Sequence, residues 1–307
     1  MKVFYLVQAH YRPECFGALI DALSGPRSRV VAHIDAKIDD APFRNQAGSS
    51  NVTFVPNGQR VRVNWAGWSQ VEATLAMARL AMEEAEPNDY LILMSGDTYP
   101  LGDQDSIYEF LNSAGKPQYI NGVSMPAPHK PIERIARFHV EYDRRDGRRH
   151  AIARSVNRLQ IRKPYRRALG GRVPFGGTQW WGLTGSAVAW ILETVETDGR
   201  LVRLAQGSLI PDEFLFQTLV LNSEFGQDVR PSLMFTDWSR PGPKPAHIDA
   251  DHVRLLAEAN LQPASDSAGQ RLFARKVMDS FTQAQIRQHL WPIAHRLGRD
   301  SWNQWAN

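Results

Sequence analysis

Apolar runs and apolar stripes alternate along the first hundred residues of the chain. Val3 to Ala9 is almost unbroken in apolar character, the pattern of a parallel strand buried on both faces. Phe16, Leu19, Ile20 and Leu23 then recur at helical spacing, and Ser24-Gly25-Pro26 closes that helix. Residues 30–35 predict a second strand carrying Asp35 at its carboxyl end, and 52–55 a third. Trp68, Val71, Leu75, Ala78 and Met82 step by three and four, so 69–85 reads as an amphipathic helix. A fourth strand, 90–94, runs into Ser95-Gly96-Asp97. This alternation predicts an α/β, Rossmann-like fold: a mostly parallel sheet flanked by helices, with ligands at the strand carboxyl ends. No GxGxxG or P-loop follows the first strand, which argues against a dinucleotide fold and a P-loop ATPase.

The pattern is interrupted by the basic segment between Arg144 and Arg172, where Pro164 and Gly170-Gly171 break any long helix. It resumes with a strand over 178–183, a helix over 186–196, and a helix entered at Pro211. A strand over 233–236, a helix over 249–259 and a surface helix over 281–297 complete the prediction. The run Ser239-Arg240-Pro241-Gly242-Pro243-Lys244-Pro245 can only be an irregular loop. No repeat or linker divides the chain, which is read as one domain.

Composition changes this picture little, and charge changes it locally. At 307 residues, 43% hydrophobic and 22% charged, the chain can bury a core without staples. Its one cysteine, Cys15, excludes an intrachain disulfide and a multi-cysteine metal site, and makes a reducing, cytoplasmic setting the default expectation. Residues 1–7 are too short an apolar run for a signal peptide or membrane span. Between Arg144 and Arg172, ten arginines and one lysine face a single acid, Asp146, a local charge of +10 in a chain of net +4. A solvated segment accounts for this, as does a surface for an anionic acceptor or a membrane face. Few aromatics interleave and no nucleic-acid motif occurs, so no nucleic-acid partner is expected.

Two stretches carry candidate chemistry. In Pro211-Asp212-Glu213-Phe214-Leu215 the acids follow a proline and precede an apolar run. Acids in a first helical turn are stabilised by the helix dipole, which explains them without any function. Upstream lies Gly176-Gly177-Thr178-Gln179-Trp180-Trp181-Gly182, whose indoles and hydrogen-bonding groups would suit a sugar. Neighbouring strand residues point to opposite faces, so one of Trp180 and Trp181 is expected in the core and the other at a ligand. Asp103-Gln104-Asp105 could be an acid-x-acid metal motif, but its place before 106–111 suits helix capping better. His10 and His33 flank strand ends, where a nucleotide contact and a structural role are equally open.

Taken in order, residues 61–82, 90–101, 175–192, 209–219 and 272–276 resemble one family, the core-2/I-branching β-1,6-N-acetylglucosaminyltransferases and protein xylosyltransferases, glycosyltransferase family 14. The Gln-Trp-Trp, Pro-Asp-Glu-Phe-Leu and Leu-Phe-Ala-Arg-Lys segments make the combination specific. The resemblance implies a GT-A-type enzyme that inverts at the anomeric carbon without a metal or other cofactor. It places the catalytic base at Glu213 and a diphosphate-binding cation at Lys276, assisted by Lys244 or Arg240. Asp35, Trp65, Val7 and His10 fall on the donor side. Asp97, Trp180, Trp181, Asp212 and Trp238 fall on the acceptor side. One departure stands out: the family has Gly-X-Asp-aromatic-Pro where this chain has Gly96-Asp97-Thr98-Tyr99-Pro100, with the acid one place earlier. By this resemblance 1–115 is the nucleotide-sugar half, 116–279 the acceptor and catalytic half, and 280–307 a C-terminal helix. The expected partners are a UDP-sugar (GlcNAc first, xylose or glucuronate behind it) and a glycan acceptor, lipid-linked or anionic. A glycan-binding module on the same fold, without catalysis, is the competing class. Eukaryotic members are Golgi-anchored and cysteine-rich, so the chain looks more like cytoplasmic bacterial members acting in surface polysaccharide assembly, at the inner membrane face or free of it.

Overall fold

In the computed structural model the period-two pattern of the strands divides the core into two layers. The structure describes residues 1–48, 51–113, 115–239, 244–262 and 269–300. Strand β1 (Val3–Ala9) pairs in parallel with both β2 (Ser28–Ile34) and, on its other edge, the strand Tyr90–Ser95. Val3, Tyr5 and Val7 point to one face, onto Phe16, Leu19, Ile20 and Leu23 of the helix Pro13–Leu23. Phe4 and Leu6 point to the other, onto Val71, Leu75 and Ala78 of the helix Trp68–Met82. Both faces are covered, which is why this strand tolerates no alternation of polar residues.

The remaining strands are β3 (Val52–Phe54), β4 (Tyr90–Ser95), β5 (Thr98–Pro100), β6 (Gln118–Ile120), β7 (Val123–Ser124), β8 (Phe175–Gly176), β9 (Trp181–Thr184), β10 (Val229–Arg230), β11 (Met234–Thr236) and β12 (Phe273–Arg275). The main sheet has the order β10-β6-β9-β4-β1-β2-β3, parallel except for β9, which runs against β4 and β6. A small sheet, β11-β12-β5, lays β12 antiparallel to β5, so Arg275 is paired with Thr98 next to the end of β4. The strands β7 and β8 form a separate pair. This mostly parallel sheet with helices on both faces is the GT-A-like α/β architecture expected.

Three local expectations are corrected. The strand over 178–183 begins only at Trp181, because Gly177 donates its N–H to the Glu213 carbonyl at 2.9 Å and leaves the sheet. The helix expected from Pro211 is a 3-10 turn, Pro211–Glu213, followed by an α-helix, Leu215–Leu221. Phe214, at φ −132°, separates the two, and Ile210, in the left-handed region at φ 56°, precedes the turn. The single C-terminal surface helix is two helices, Ser280–His289 and Trp291–Asp300. Pro292 fits the first turn of the second, where its missing N–H costs nothing. Their inner side is not superficial, since Ile286, Leu290, Ile293 and Ala294 are buried against Tyr99, Leu101 and Leu256.

The arginine-rich segment folds into two helices, Gly147–Arg158 and Tyr165–Leu169, the latter stopped by Gly170 at φ 61°. Left-handed backbone of this kind favours glycine at a helix end.

Candidate active site

Two clusters of charge lie on the side of the sheet where β1, β2 and β4 end. The first is built on Asp97, immediately after β4. Its Oδ2 accepts a hydrogen bond from Tyr11 Oη at 2.5 Å, and its Oδ1 accepts one from the Ser95 hydroxyl. Arg275 and Lys276, brought up by β12, each lie 3.5 Å from it. Burial pushes the Asp97 carboxyl up, but Arg275, Ser95, Tyr11 and Lys276 together hold it down at about 2. Burial pushes the Lys276 ammonium below its ordinary value, with Asp97 opposing. The expected acceptor contact of Asp97 is therefore displaced. Asp97 is 3% exposed and its carboxylate lies between two cations. Of the three cations in 271–276, Arg271 turns inward and donates to the Ser232 carbonyl.

The second cluster is built on the Pro211–Glu213 turn. Glu213 Oε2 receives Lys130 Nζ at 2.5 Å and an Arg134 guanidinium N–H at 2.9 Å. Lys130 also donates to the Gly177 carbonyl, tying the Gln-Trp-Trp segment to the same carboxylate. Among the described residues no group donates to Oε1, and the Glu213 side chain is 27% exposed. Its neighbour Asp212 points inward, where Oδ2 accepts from Gln70 at 3.0 Å and Oδ1 has no hydrogen-bond partner. Burial, then the adjacent Glu213, pushes the Asp212 carboxyl up to about 7. Neither acid makes a side-chain cap hydrogen bond to the turn or to the helix that follows.

Polar side chains line the top of β1 beside the second cluster. Gln179 donates to Gln8 at 3.1 Å, Gln8 to Thr74 at 2.8 Å, and Gln70, one turn before Thr74, to Asp212.

The indoles depart from expectation in a physically simple way. Trp181 is 2% exposed and packs on Phe216 at 5.6 Å, and Trp180 is 9% exposed in the same layer. Neither forms an open wall for an acceptor, because large aromatic surface is more favourably placed in the core. Trp180 instead receives the Arg275 guanidinium at 4.7 Å and braces that cation beside Asp97. Asp212, also assigned to the acceptor, is buried against Gln70 and presents no open carboxylate. Trp238 is 57% exposed and free to meet a ligand.

On the donor side Asp35 accepts N–H bonds from Lys37 at 2.9 Å and Val63 at 3.2 Å, knitting together the loop after β2. Trp65 is 65% exposed, and Arg144 stacks on it at 4.7 Å. His10 is exposed and leans on Tyr11, while His33 is buried and accepts from the Val61 N–H at 2.8 Å. Burial pushes the His33 pKa down to about 4. Val7 is fully buried between Ala32 and Met94, which places its side chain in the core and away from a donor. Lys244 is exposed, and Arg240 lies outside the described residues. Asp103 caps the helix Gln104–Ser113 by accepting from the Ser106 N–H at 2.8 Å. Among the described residues no three His, Cys, Asp or Glu side chains converge to hold a metal.

Lys130, Arg134, Tyr11 and Gln70 were not singled out from the sequence. Lys130 and Arg134 had one weak signal, their i,i+4 spacing across the proline at 131, which would put two cations on one side of a turn.

A Rossmann-like, mostly parallel sheet with an acid turn and paired cations at its carboxyl edge defines the GT-A-like class of this protein. The chain belongs to the Core-2/I-Branching enzyme family, which matches residues 4–261. It is similar to the Mus musculus beta-1,3-galactosyl-O-glycosyl-glycoprotein beta-1,6-N-acetylglucosaminyltransferase 3, with 28% identity over 132 residues. That match covers 42% of this chain and 30% of the mouse protein, so the chain spans less than a third of that relative. A mannose-6-phosphate isomerase from Helicobacter pylori superposes over 64% of this chain and 79% of its own length. Its TM-score of 0.32 and 12% identity are too low to bear on this protein.

Proposed function

We propose that the protein transfers a sugar, GlcNAc first among candidates, from a UDP-sugar to a hydroxyl of a glycan, with inversion to a β-linkage and without a metal. The observation that carries this is the Glu213 carboxylate, anchored on Oε2 by Lys130 and Arg134 with Oε1 left unengaged. An oriented carboxylate with one free oxygen can take the acceptor hydroxyl proton as the acceptor's hydroxyl oxygen bonds to the anomeric carbon. The bond from that carbon to the β-phosphate oxygen breaks at the same time, and UDP departs with the electron pair. The charge growing on it needs fixed positive groups, and Lys276 with Arg275 would supply them. Asp97 keeps those cations in place before the donor arrives. UDP-xylose and UDP-glucuronate remain alternative donors.

The non-catalytic reading has one observation in its favour: Glu213 and Asp97 are each already paired with two cations of the chain itself. Incubation with UDP-GlcNAc and a panel of β-galactoside acceptors decides between them. Product carrying a new β-linkage by NMR supports the transferase. Acceptor binding with neither transfer nor donor hydrolysis, for any of the three UDP-sugars, supports the binding module.

A further inference from the structure

We propose that the outer side of the segment 147–167 docks on an anionic lipid bilayer. No Asp or Glu occurs between Asp146 and Glu193. Within that acid-free stretch Arg148, Arg154, Arg158, Arg162, Arg166 and Arg167 are all exposed. None of the six is ion-paired with a carboxylate among the described residues. Lys163 is not part of this surface, because its ammonium turns inward onto the Leu204 and Gly207 carbonyls and Ser208. Among the arginines stand three large aliphatics that the fold leaves in water: Ile152 at 67% exposure, Leu159 at 69% and Ile161 at 50%.

Single exposed aliphatics are ordinary, but three within ten residues, interspersed with exposed arginines that pair with no carboxylate among the described residues, are not. Ile152 lies on the outer side of the helix Gly147–Arg158 and Leu159 in the turn just past its end, while Ala153 turns into the protein. The charge selects the partner. A protein partner's apolar patch would leave the arginines unmatched, and a soluble polyanion would leave the aliphatics in water. An anionic bilayer takes both, headgroup phosphates pairing with guanidinia and aliphatic side chains entering the acyl boundary. Among the described residues no helix is long and apolar enough to cross a bilayer, so the contact considered is with one leaflet.

The placement gives the docking a use that rests on the proposed transferase reading. The Phe138 N–H donates to the Ile161 carbonyl at 2.7 Å, and the Lys163 ammonium grips the turn that leads through Leu209 to Pro211–Glu213. A bilayer on this side would lie beside the rim of the Glu213 cluster, where an acceptor carried on a lipid would present its sugar.

Co-sedimentation with phosphatidylcholine vesicles, with and without phosphatidylglycerol, tests the docking independently of catalysis. Wild type should pellet with the anionic vesicles only, and less as salt rises. The variant Ile152→Ser/Leu159→Ser/Ile161→Ser should bind roughly tenfold or more weakly. The same variant should bind dextran sulfate as wild type does and keep its transfer rate to a water-soluble acceptor. Leu159→Glu alone serves if the triple variant folds poorly. Absence of binding to anionic vesicles at low salt, or equal binding by wild type and the serine variant, would overturn the proposal. The second result would assign the arginines to a soluble polyanion instead.

Discussion

Lys130 Nζ sits 2.5 Å from Glu213 Oε2, and this ion pair spans 83 residues of sequence. Arg134 reaches the same oxygen from the following turn. Two donors on one oxygen fix the plane of the carboxylate and aim the other oxygen outward, the geometry a general base requires before substrate arrives. Glu213→Gln should therefore lower kcat by roughly 10²-fold or more while leaving UDP affinity near wild type. Lys130→Met removes an anchor without removing the base, and should lower kcat by a smaller factor, roughly tenfold, at unchanged donor KM. Steady-state kinetics on both variants checks the pair. Normal turnover by a folded Glu213→Gln protein would exclude Glu213 as the base.

Asp212 gives the protein a pH dependence of definite sign. Burial and the neighbouring Glu213 raise its carboxyl to about 7, above its value in the unfolded chain. The folded state thus holds the proton more tightly, so the contribution to stability is complete below ~pH 4 and is lost as pH rises through about 7. The shift corresponds to ~4 kcal/mol as an order of magnitude. Asp212→Asn keeps the Gln70 hydrogen bond and cannot titrate, so its stability should lack that decline. Urea unfolding at about pH 5 and about pH 8 measures this, and identical slopes for the two proteins would refute it. Asp97 acts in a separate window, since its carboxyl is held at about 2 and its contribution is lost only as pH falls toward that value.

Gly177 is a point where the backbone has no room. A Cβ there would collide with the Asn121 carbonyl oxygen, and its N–H holds the Glu213 carbonyl. Gly177→Ala should cost ~1–3 kcal/mol or more of stability, by the usual scale of overpacking. It should also depress kcat, because the turn carrying Glu213 must shift with it. A thermal melt and a kcat measurement on one preparation check both effects.

What the sequence makes legible follows from local physics. The apolar run at Val3–Ala9 and the three-four stripe of Trp68–Met82 place two elements correctly because burial pattern and period are local properties. The same holds for Asp35 and Asp97, which lie at strand ends as read. The Glu213 anchors were not legible, because Lys130 and Arg134 meet it only through the tertiary fold, 79 to 83 residues away. The paired indoles misled for a different reason. Trp-Trp beside Gln reads equally as a sugar platform or as core, and packing on Phe216 decides for core. At Pro211 the local capping pattern was overruled by Phe214, whose backbone at φ −132° detaches the acids from the helix that follows.

The last prediction concerns the diphosphate. Lys276 Nζ stands 3.5 Å from Asp97 and 3.4 Å from Tyr11 Oη, half-buried beside Arg275. A phosphate oxygen entering here would complete the solvation that burial denies the ammonium, so affinity should depend on the charge of the nucleotide rather than on its base. Lys276→Ala should weaken UDP by roughly tenfold to a hundredfold, the scale of one charged hydrogen bond, and should leave uridine affinity almost unchanged. Asp97→Asn should do the opposite, because it frees both cations. UDP should bind relatively tighter than uridine, while the fold loses stability from two half-buried charges left unpaired. If fixed cations take the place of a metal, transfer should persist in excess EDTA. Calorimetry with UDP and uridine on the two variants, with an EDTA arm in the transfer assay, tests each step. Equal weakening of UDP and uridine by Lys276→Ala would move the diphosphate elsewhere. Loss of activity on chelation, restored by Mn²⁺, would replace the cation pair with a metal.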